Sequence, residues 1–397
     1  MKNNQLKDKI QQEALNSWLD NDKRGTVQII TGLGKTFISL HALYTMPKDK
    51  IHLFLAETIE RERDLMKDIL KYNKIFNRNI LEDYDLRFFC YQSAYKWQNQ
   101  EFGLVIADEI HDSLSPAYHQ FYLNNKFDAI IGLSATIDKS IEYNNFTKGD
   151  LLDKIAPICY TYNINQGQVD GTSRKLNIYI INHELDNINK TIKAGNAKKP
   201  FFQSELQSYS YWDKEHKKAW YIDDKDLREL KITITSTKRS KLLYELPSKI
   251  TIVKELIKVI NGQTILFGNS INSLLKITPN VVSSRYSEDQ NKAIRDSFES
   301  GKINLIGSFK MLKQGANLTE LDNCVIMSYY GIEKDIIQRI GRLRDNGTTG
   351  SVFIIRTNGT QENIWFQKMI QNIVEFNVIE CDNIQDCIKK YKINEKN

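Results

Sequence analysis

The sequence predicts an α/β protein of two tandem lobes, each built on a parallel sheet, together with a polar, aromatic insertion. Three observations carry this expectation. Apolar runs without polar alternation recur in two separate series, as strands buried on both faces require. Helical periodicities lie between those runs. The 397 residues exceed one ordinary core and suffice for two domains of about 150 residues each plus connecting chain.

The first lobe is expected over residues 1–150. Leu6, Ile10, Ala14 and Trp18 recur at helical spacing, so residues 5–20 read as an amphipathic helix ahead of the first strand. Strands are expected at 26–30, 51–55, 86–91, 103–107 and 128–132, with a helix marked by Phe37, Leu40 and Tyr44 after the first. Parallel sheets bind ligands at the carboxyl ends of their strands. The polar motifs of this chain fall at those ends.

A second lobe is expected over 247–375, opening with a helix through Ile250, Val253, Leu256 and Ile257 and continuing with strands at 264–267, 303–307, 323–327 and 351–355. It has no glycine-rich phosphate loop. Residues 151–246 read as a connector, within which 186–245 turn polar and aromatic (Tyr209, Tyr211, Trp212, Trp220, Tyr221) and hold thirteen Lys and Arg against nine Asp and Glu. That excess of four is most of the chain's +6, and the segment is expected to be an insertion extending from the second lobe. Residues 376–397 are expected to form a C-terminal tail.

Net charge of +6 favours a polyanionic partner only mildly, because such a partner needs a local excess of cations. Cys90, Cys159, Cys324, Cys381 and Cys387 show neither a Cys-x-x-Cys pair nor a His at metal spacing, which argues against a zinc site or a disulfide framework. Met1 leads into a Lys- and Asn-rich stretch, and no window approaches the roughly 20 apolar residues of a membrane span. A cytoplasmic protein without membrane association is expected.

Thr31-Gly32-Leu33-Gly34-Lys35-Thr36 follows the first strand and precedes a helix. There Gly32 and Gly34 let backbone N–H groups turn toward phosphates, Lys35 reaches the β- and γ-oxygens, and the Thr36 hydroxyl ligates magnesium. The strict pattern has Gly where this chain has Ile29. Asp108-Glu109-Ile110-His111 closes the run 103–107, so that Asp108 can hold magnesium through water, Glu109 can orient or deprotonate an attacking water, and His111 can contact the γ-phosphate region or the other lobe. Acids also favour the first turn of any helix. Ser134-Ala135-Thr136 sets two small hydroxyl residues at another strand end, where they can relay hydrogen bonds. Gln338-Arg339-Ile340-Gly341-Arg342-Leu343-Arg344 gathers three cations that can donate to a transferring phosphoryl group. Taken alone, a solvated basic helix is the plainer reading of that stretch.

In this order, over residues 6–368, the motifs resemble those of a superfamily 2 helicase of the DExH type, with most similarity to phage and repair-type DNA helicases. The resemblance implies two RecA-like lobes that hydrolyse ATP, with Mg2+, in the cleft between them. It makes Gln11 an adenine-reading glutamine and adds Asn317 and Arg339 to the ATP contacts of Thr31, Gly32, Leu33, Gly34, Lys35 and Thr36. Catalysis falls to Lys35, Asp108, Glu109, Gln338, Arg342 and Arg344, with Thr36 and Asp108 toward the metal. Coupling is implied for His111, Ser134, Thr136 and Gly315, and nucleic-acid contact for Thr58, Tyr91, Ser93, Gly268, Ser308 and Lys310. Two departures stand out: Ala56-Glu57-Thr58 replaces the usual Pro-Thr, and Asp345 occupies the seventh position after Gln338, which leaves the second finger arginine open.

Such proteins grip a single strand of nucleic acid across both lobes. Three functions follow for this chain: a DNA motor that translocates and unwinds or branch-migrates, which is favoured; an RNA helicase with the same engine; and a nucleotide-gated scaffold or motor subunit of a nuclease assembly. Tyr91, Trp97 and the rings of the insertion can stack bases at roughly 1–3 kcal/mol each. The plainer expectation for the insertion's rings is a small core.

Overall fold

The structure is a computed structural model that describes residues 2–30, 32–135, 137–143, 146–172, 174–196, 198–309, 321–329, 348–370 and 377–395. It divides into two compact units, Met1–Arg174 and Lys175–Asn397.

In the first unit the strands are β1 (Arg24–Ile29), β2 (Ile51–Ala56), β3 (Asp85–Cys90), β4 (Glu101–Asp108), β5 (Lys126–Ser134), the short antiparallel pair β6 (Glu142–Tyr143) and β7 (Phe146–Thr147), and β8 (Ile158–Tyr162). Six of them form one sheet in the order β3-β2-β4-β5-β1-β8, with every pairing parallel. Successive residues face opposite sides of a strand. Ile29, Phe54, Leu104 and Ile131 accordingly build the core on one face, and Leu53, Leu55, Val105 and Ile130 the core on the other. Helix α1 (Lys2–Asp20) buries Ile10, Ala14 and Trp18. The Trp18 indole N–H donates to the Ile130 carbonyl at 2.8 Å and so pins the helix to the sheet.

This unit runs past the expected boundary at 150, because β8 pairs with β1 from Thr26↔Ile158 to Ile29↔Tyr162. The strand Ile-Cys-Tyr-Thr-Tyr lies at the edge and is largely half-buried, so its pattern is mixed. Its close approach requires Gly25, where a Cβ would come 2.7 Å from Cys159 Sγ.

The second unit adds β9 (Leu176–His183), the hairpin β10 (Ile192–Asn196) and β11 (Lys199–Gln203), then β12 (Thr264–Phe267), β13 (Val281–Val282), β14 (Leu305–Ser308), β15 (Asn323–Ile326), β16 (Gly350–Thr357) and β17 (Asn377–Cys381). Its main sheet is parallel throughout, in the order β13-β14-β12-β15-β16-β9-β17. Two expectations are corrected here. The connector contains an interior strand, β9, which pairs with β16 from Gly350↔Leu176 to Thr357↔His183. The tail supplies the edge strand β17 and the helix Ile384–Asn394, whose Cys387 and Tyr391 are buried in the core.

Residues 186–245 are also more regular than expected. The hairpin β10–β11 leads into helices Glu205–Ala219 and Lys225–Tyr244. Tyr209 joins Leu243, Tyr244 and Leu246 in a small core, while Phe201, Phe202, Tyr211, Trp220 and Tyr221 are exposed. Buried polar bonds tie these helices to the sheet. Arg239 reaches Asp213 at 2.6 Å and Gln361 at 3.0 Å, and Glu205 accepts from the Ser248 hydroxyl at 2.6 Å. Lys249 and Glu362, both fully buried, meet at 2.8 Å. His183 lies beside them, bonded to Ser248 Oγ at 2.7 Å and Thr357 Oγ1 at 3.1 Å.

Burial, and then the Lys249 charge, pushes the His183 imidazole down to about 3 from 6.5. The unfolded chain therefore binds the extra proton throughout that window and the folded chain does not. This contribution to stability is intact above the unfolded value and falls by about 1.4 kcal/mol per pH unit as the pH drops toward the folded one. In urea titrations of the full chain at about pH 7.5 and about pH 5, His183→Gln should show a smaller acid-induced loss than wild type. Equal losses would show that His183 contributes no such term.

Candidate active site

The phosphate-loop residues sit between β1 and α2 (Lys35–Leu43). Gly32 has φ 94° and Gly34 φ 82°, left-handed values that favour glycine. Gly34 is the residue before the first turn of α2, so the free N–H groups of that turn face the loop. Gln11 is buried, and its amide donates to the Leu33 carbonyl at 2.7 Å, bracing the loop from α1. A Cβ on Gly34 would meet the Gln11 amide at 2.5 Å.

Asp108 is the last residue of β4, and Glu109 follows with φ 48°, a strained value for a non-glycine residue and of the kind that gathers at functional sites. That turn aims the Glu109 carboxylate at Lys35, whose Nζ lies 2.6 Å from Oε1. On its other side, the Ser134 hydroxyl from the end of β5 donates to Glu109 Oε2 at 3.3 Å. His111 Nδ1 meets the same hydroxyl at 2.6 Å. Lys35, Glu109, Ser134 and His111 thus form one continuous polar chain across three strand ends.

The sequence reading missed Arg61. From α3 (Glu60–Phe76) its Nε lies 2.5 Å from Asp108 Oδ2, and Nη2 donates to Thr36 Oγ1 at 2.8 Å. Burial, the largest single influence, works to lower its pKa, but the Asp108 charge and hydrogen bond together with the charges of Asp68 and Asp64 outweigh it and hold the guanidinium firmly protonated. The available signal was an arginine in the first turn of a helix, where the dipole disfavours it. Thr36 Oγ1 and the Asp108 carboxylate, converging on one cation, are hard oxygen donors of the kind Mg2+ takes together with waters and phosphate. They are the residues of this site that could hold it.

Two expected strand contacts are corrected. Tyr91 is 3% exposed, its hydroxyl donates to the Asp108 carbonyl at 2.8 Å, and burial raises its pKa. It supports the acidic turn and presents no face to a base. Trp97 is half-buried and packs edge-on against Phe89 at the border of the sheet core. Ser93 is exposed and Thr58 half-buried, both just past strand ends.

In the second unit, Gly268 and Ser308 lie side by side at the ends of β12 and β14, the Gly268 N–H donating to the Ser308 carbonyl at 3.2 Å. Both are buried, and Ser308 Oγ has no hydrogen-bond partner among the described residues. Next to them opens a cleft of about 600 Å³, with Asn269, Ser270, Lys241, Arg285, Phe309 and Trp365 in its wall. The Asn269 side-chain amide is likewise buried and unpartnered among the described residues. Thr31, Thr136, Lys310, Gly315, Asn317, Gln338, Arg339, Arg342 and Arg344 lie outside the described residues.

Residues 7–139 match the family model described as Type III restriction enzyme, res subunit, and residues 248–347 match that of the helicase conserved C-terminal domain. The DNA 3'-5' translocase XPB2 of Sulfurisphaera tokodaii is 25% identical over 382 residues, which are 90% of this chain and 84% of that protein. Among solved structures, S. cerevisiae Dbp5 bound to RNA and ADP BeF3 aligns with a TM-score of 0.62 at 15% identity, covering 98% of this chain and 93% of that one. The Pyrococcus furiosus Hef helicase domain aligns with a TM-score of 0.52 at 15% identity, covering 91% and 97%. At these identities the structural likeness concerns the fold, two RecA-like α/β domains.

Proposed function

We propose that this chain, which belongs to the superfamily 2 helicases, is an ATP- and Mg2+-dependent motor that translocates on DNA and unwinds or branch-migrates it. The observation that carries this reading is the meeting of Lys35, Thr36, Asp108 and Glu109 at the ends of β1 and β4. Bound Mg2+ would neutralise phosphate charge, with Thr36 and Asp108 as its protein ligands. Lys35 would leave Glu109 for the β- and γ-phosphates, freeing Glu109 to take the proton of the attacking water. Ser134 and His111, already bonded to one another, would then sense the state of Glu109. Arg342 and its neighbours would supply the guanidinium of the second unit to the transferred phosphoryl group.

DNA is favoured over RNA because the chain's sequence relative is described as a DNA translocase. The fold neighbour bound to RNA supports the second reading, an RNA helicase. Thr58 and Ser93 in the first unit, and the Asn269 cleft with Gly268, Ser308 and Lys310 in the second, are the contacts proposed for the strand. ATP turnover measured in parallel with single-stranded DNA, duplex DNA and RNA tests the choice, with Lys35→Ala as the inactive control. DNA should stimulate turnover; stimulation by RNA alone would replace this reading with the second.

Glu109→Gln keeps the shape of the site but removes the base, so hydrolysis should stop with ATP bound. In saturating ATP this variant should hold single strands more tightly than wild type does during turnover. Equal affinities in a fluorescence-anisotropy titration would refute the trap.

Lys193, Lys198 and Lys199 are exposed on the β10–β11 hairpin beside Phe201 and Phe202. As an arm gripping duplex or branched DNA they would release counterions on binding. Replacing all three with Gln should weaken DNA binding and reduce the slope of log K against log salt by about 0.9 for each lost phosphate contact, while basal ATP hydrolysis persists. An unchanged slope would place the hairpin off the DNA path.

A further inference from the structure

Arg61 sits where none of the motifs places a cation. It is the second residue of α3, a helix whose N-cap, Ile59, makes no side-chain capping bond. Positive charge there opposes the helix dipole by about 0.3–1 kcal/mol. Something outside the helix must hold it, and the distances identify what that is. Its Nε and Nη2 span Asp108 Oδ2 (2.5 Å) and Thr36 Oγ1 (2.8 Å), the two groups just named as magnesium ligands. The side chain is 18% exposed, and its guanidinium carbon lies 5.7 Å from the centre of the Phe54 ring. A planar cation therefore fills the ligand pair from the protein side.

Guanidinium and Mg2+ cannot use these oxygens together, because two cations a few ångströms apart repel strongly in a partly buried site. An exit is built into the same helix. Asp68 Oδ2 lies 3.6 Å from Nη1 of Arg61, and the Asp64 carboxylate adds to the same negative field. Turning about its own side-chain bonds would carry Arg61 from Asp108 to Asp68 without moving the backbone.

We propose that Arg61 is a built-in counter-ion that occupies Thr36 and Asp108 in the nucleotide-free state, moves to Asp68 when the metal–nucleotide complex binds, and thereby sets the metal requirement of the site. This rests on the reading of Thr36 and Asp108 as magnesium ligands. In the resting state Lys35 on Glu109 and Arg61 on Asp108 neutralise both acids of the turn. Arg61 acts as a positioning residue, through its bonds to the Asp108 and Thr36 side chains.

The test uses the full chain and two readouts: Mn2+ binding to nucleotide-free protein by electron paramagnetic resonance, and fluorescent-ADP affinity as a function of free Mg2+. Arg61→Met should tighten Mn2+ binding and lower the Mg2+ midpoint by roughly tenfold, the equivalent of one charge-assisted hydrogen bond. Arg61→Lys, which keeps the charge but loses the fork, should fall between the two. Asp68→Asn should shift both readouts the opposite way, and this shift should vanish in the Arg61→Met background, since Asp68 acts through Arg61. Identical metal binding in wild type and Arg61→Met would overturn the proposal, as would an Asp68→Asn shift that persists without Arg61. Wild type that binds no Mg2+-dependent ADP would instead overturn the magnesium-ligand reading itself.

Discussion

The chemistry of the first unit depends on strand register. β1 pairs with β5 so that Gln28 stands opposite Ser134, and β4 pairs with β5 so that Asp108 stands opposite Leu133. Three strands thus end at one level, and the residues just beyond them meet. Because side chains alternate, a slip of one residue in β4 would turn Val105 and Ile106 to the wrong cores and swing the acidic turn away from Lys35. The apolar packing on both faces is what forbids that slip. Catalytic geometry is in this sense a by-product of core filling, and Gly132, where a Cβ would strike Thr26 and Ile110 at 2.5 and 2.7 Å, shows how tightly the faces are closed.

The second unit relies on a different device. Its sheet is joined to the helices of residues 205–244 by a buried polar network centred on Lys249, Glu362, Glu205, Ser248 and His183. Such a network yields less than an apolar core of equal volume but penalises every alternative packing, because each unpaired member would be left buried. The helical pair has only a small apolar core of its own, built around Tyr209 and Leu243. Its position therefore depends on these polar bonds, while Tyr211, Trp220 and Tyr221 stay exposed on its surface.

Most of the engine could be read from the sequence because its signals are local. The loop at 31–36, the acid pair at 108–109 and the apolar runs before them occupy contiguous stretches, and the strands were expected within a few residues of where they lie. What escaped was non-local. β9 is an apolar run at the border of a polar stretch, and its partners β16 and β17 lie some 170 to 200 residues away. No short-range pattern reports such a pairing. Tyr91 escaped for a related reason: it follows β3 on the expected side, but the bond to the Asp108 carbonyl that turns it inward comes from β4, two strands away across β2. For residues 310–320 and 330–347 the motif resemblance is joined by the match of residues 248–347 to the helicase conserved C-terminal domain.

Arg61 shows why a resemblance and a physical reading of the same chain are complementary. Motifs record the groups that act on a bound ligand, so a residue that serves the empty site leaves no trace in them. Two carboxylates on adjacent residues, beside a loop that must admit a polyanion, face a problem whenever the ligand is absent: their mutual repulsion and partial burial raise the energy of the empty state. Internal cations solve it, and the structure has one for each acid, Lys35 for Glu109 and Arg61 for Asp108. Of the two, Lys35 has phosphate to turn to when nucleotide arrives, whereas Arg61 faces the metal and must leave. A pair that dissociates on ligand entry subtracts from affinity in proportion to its own strength, and so the bonds that stabilise the empty turn also decide how much metal is needed to fill it.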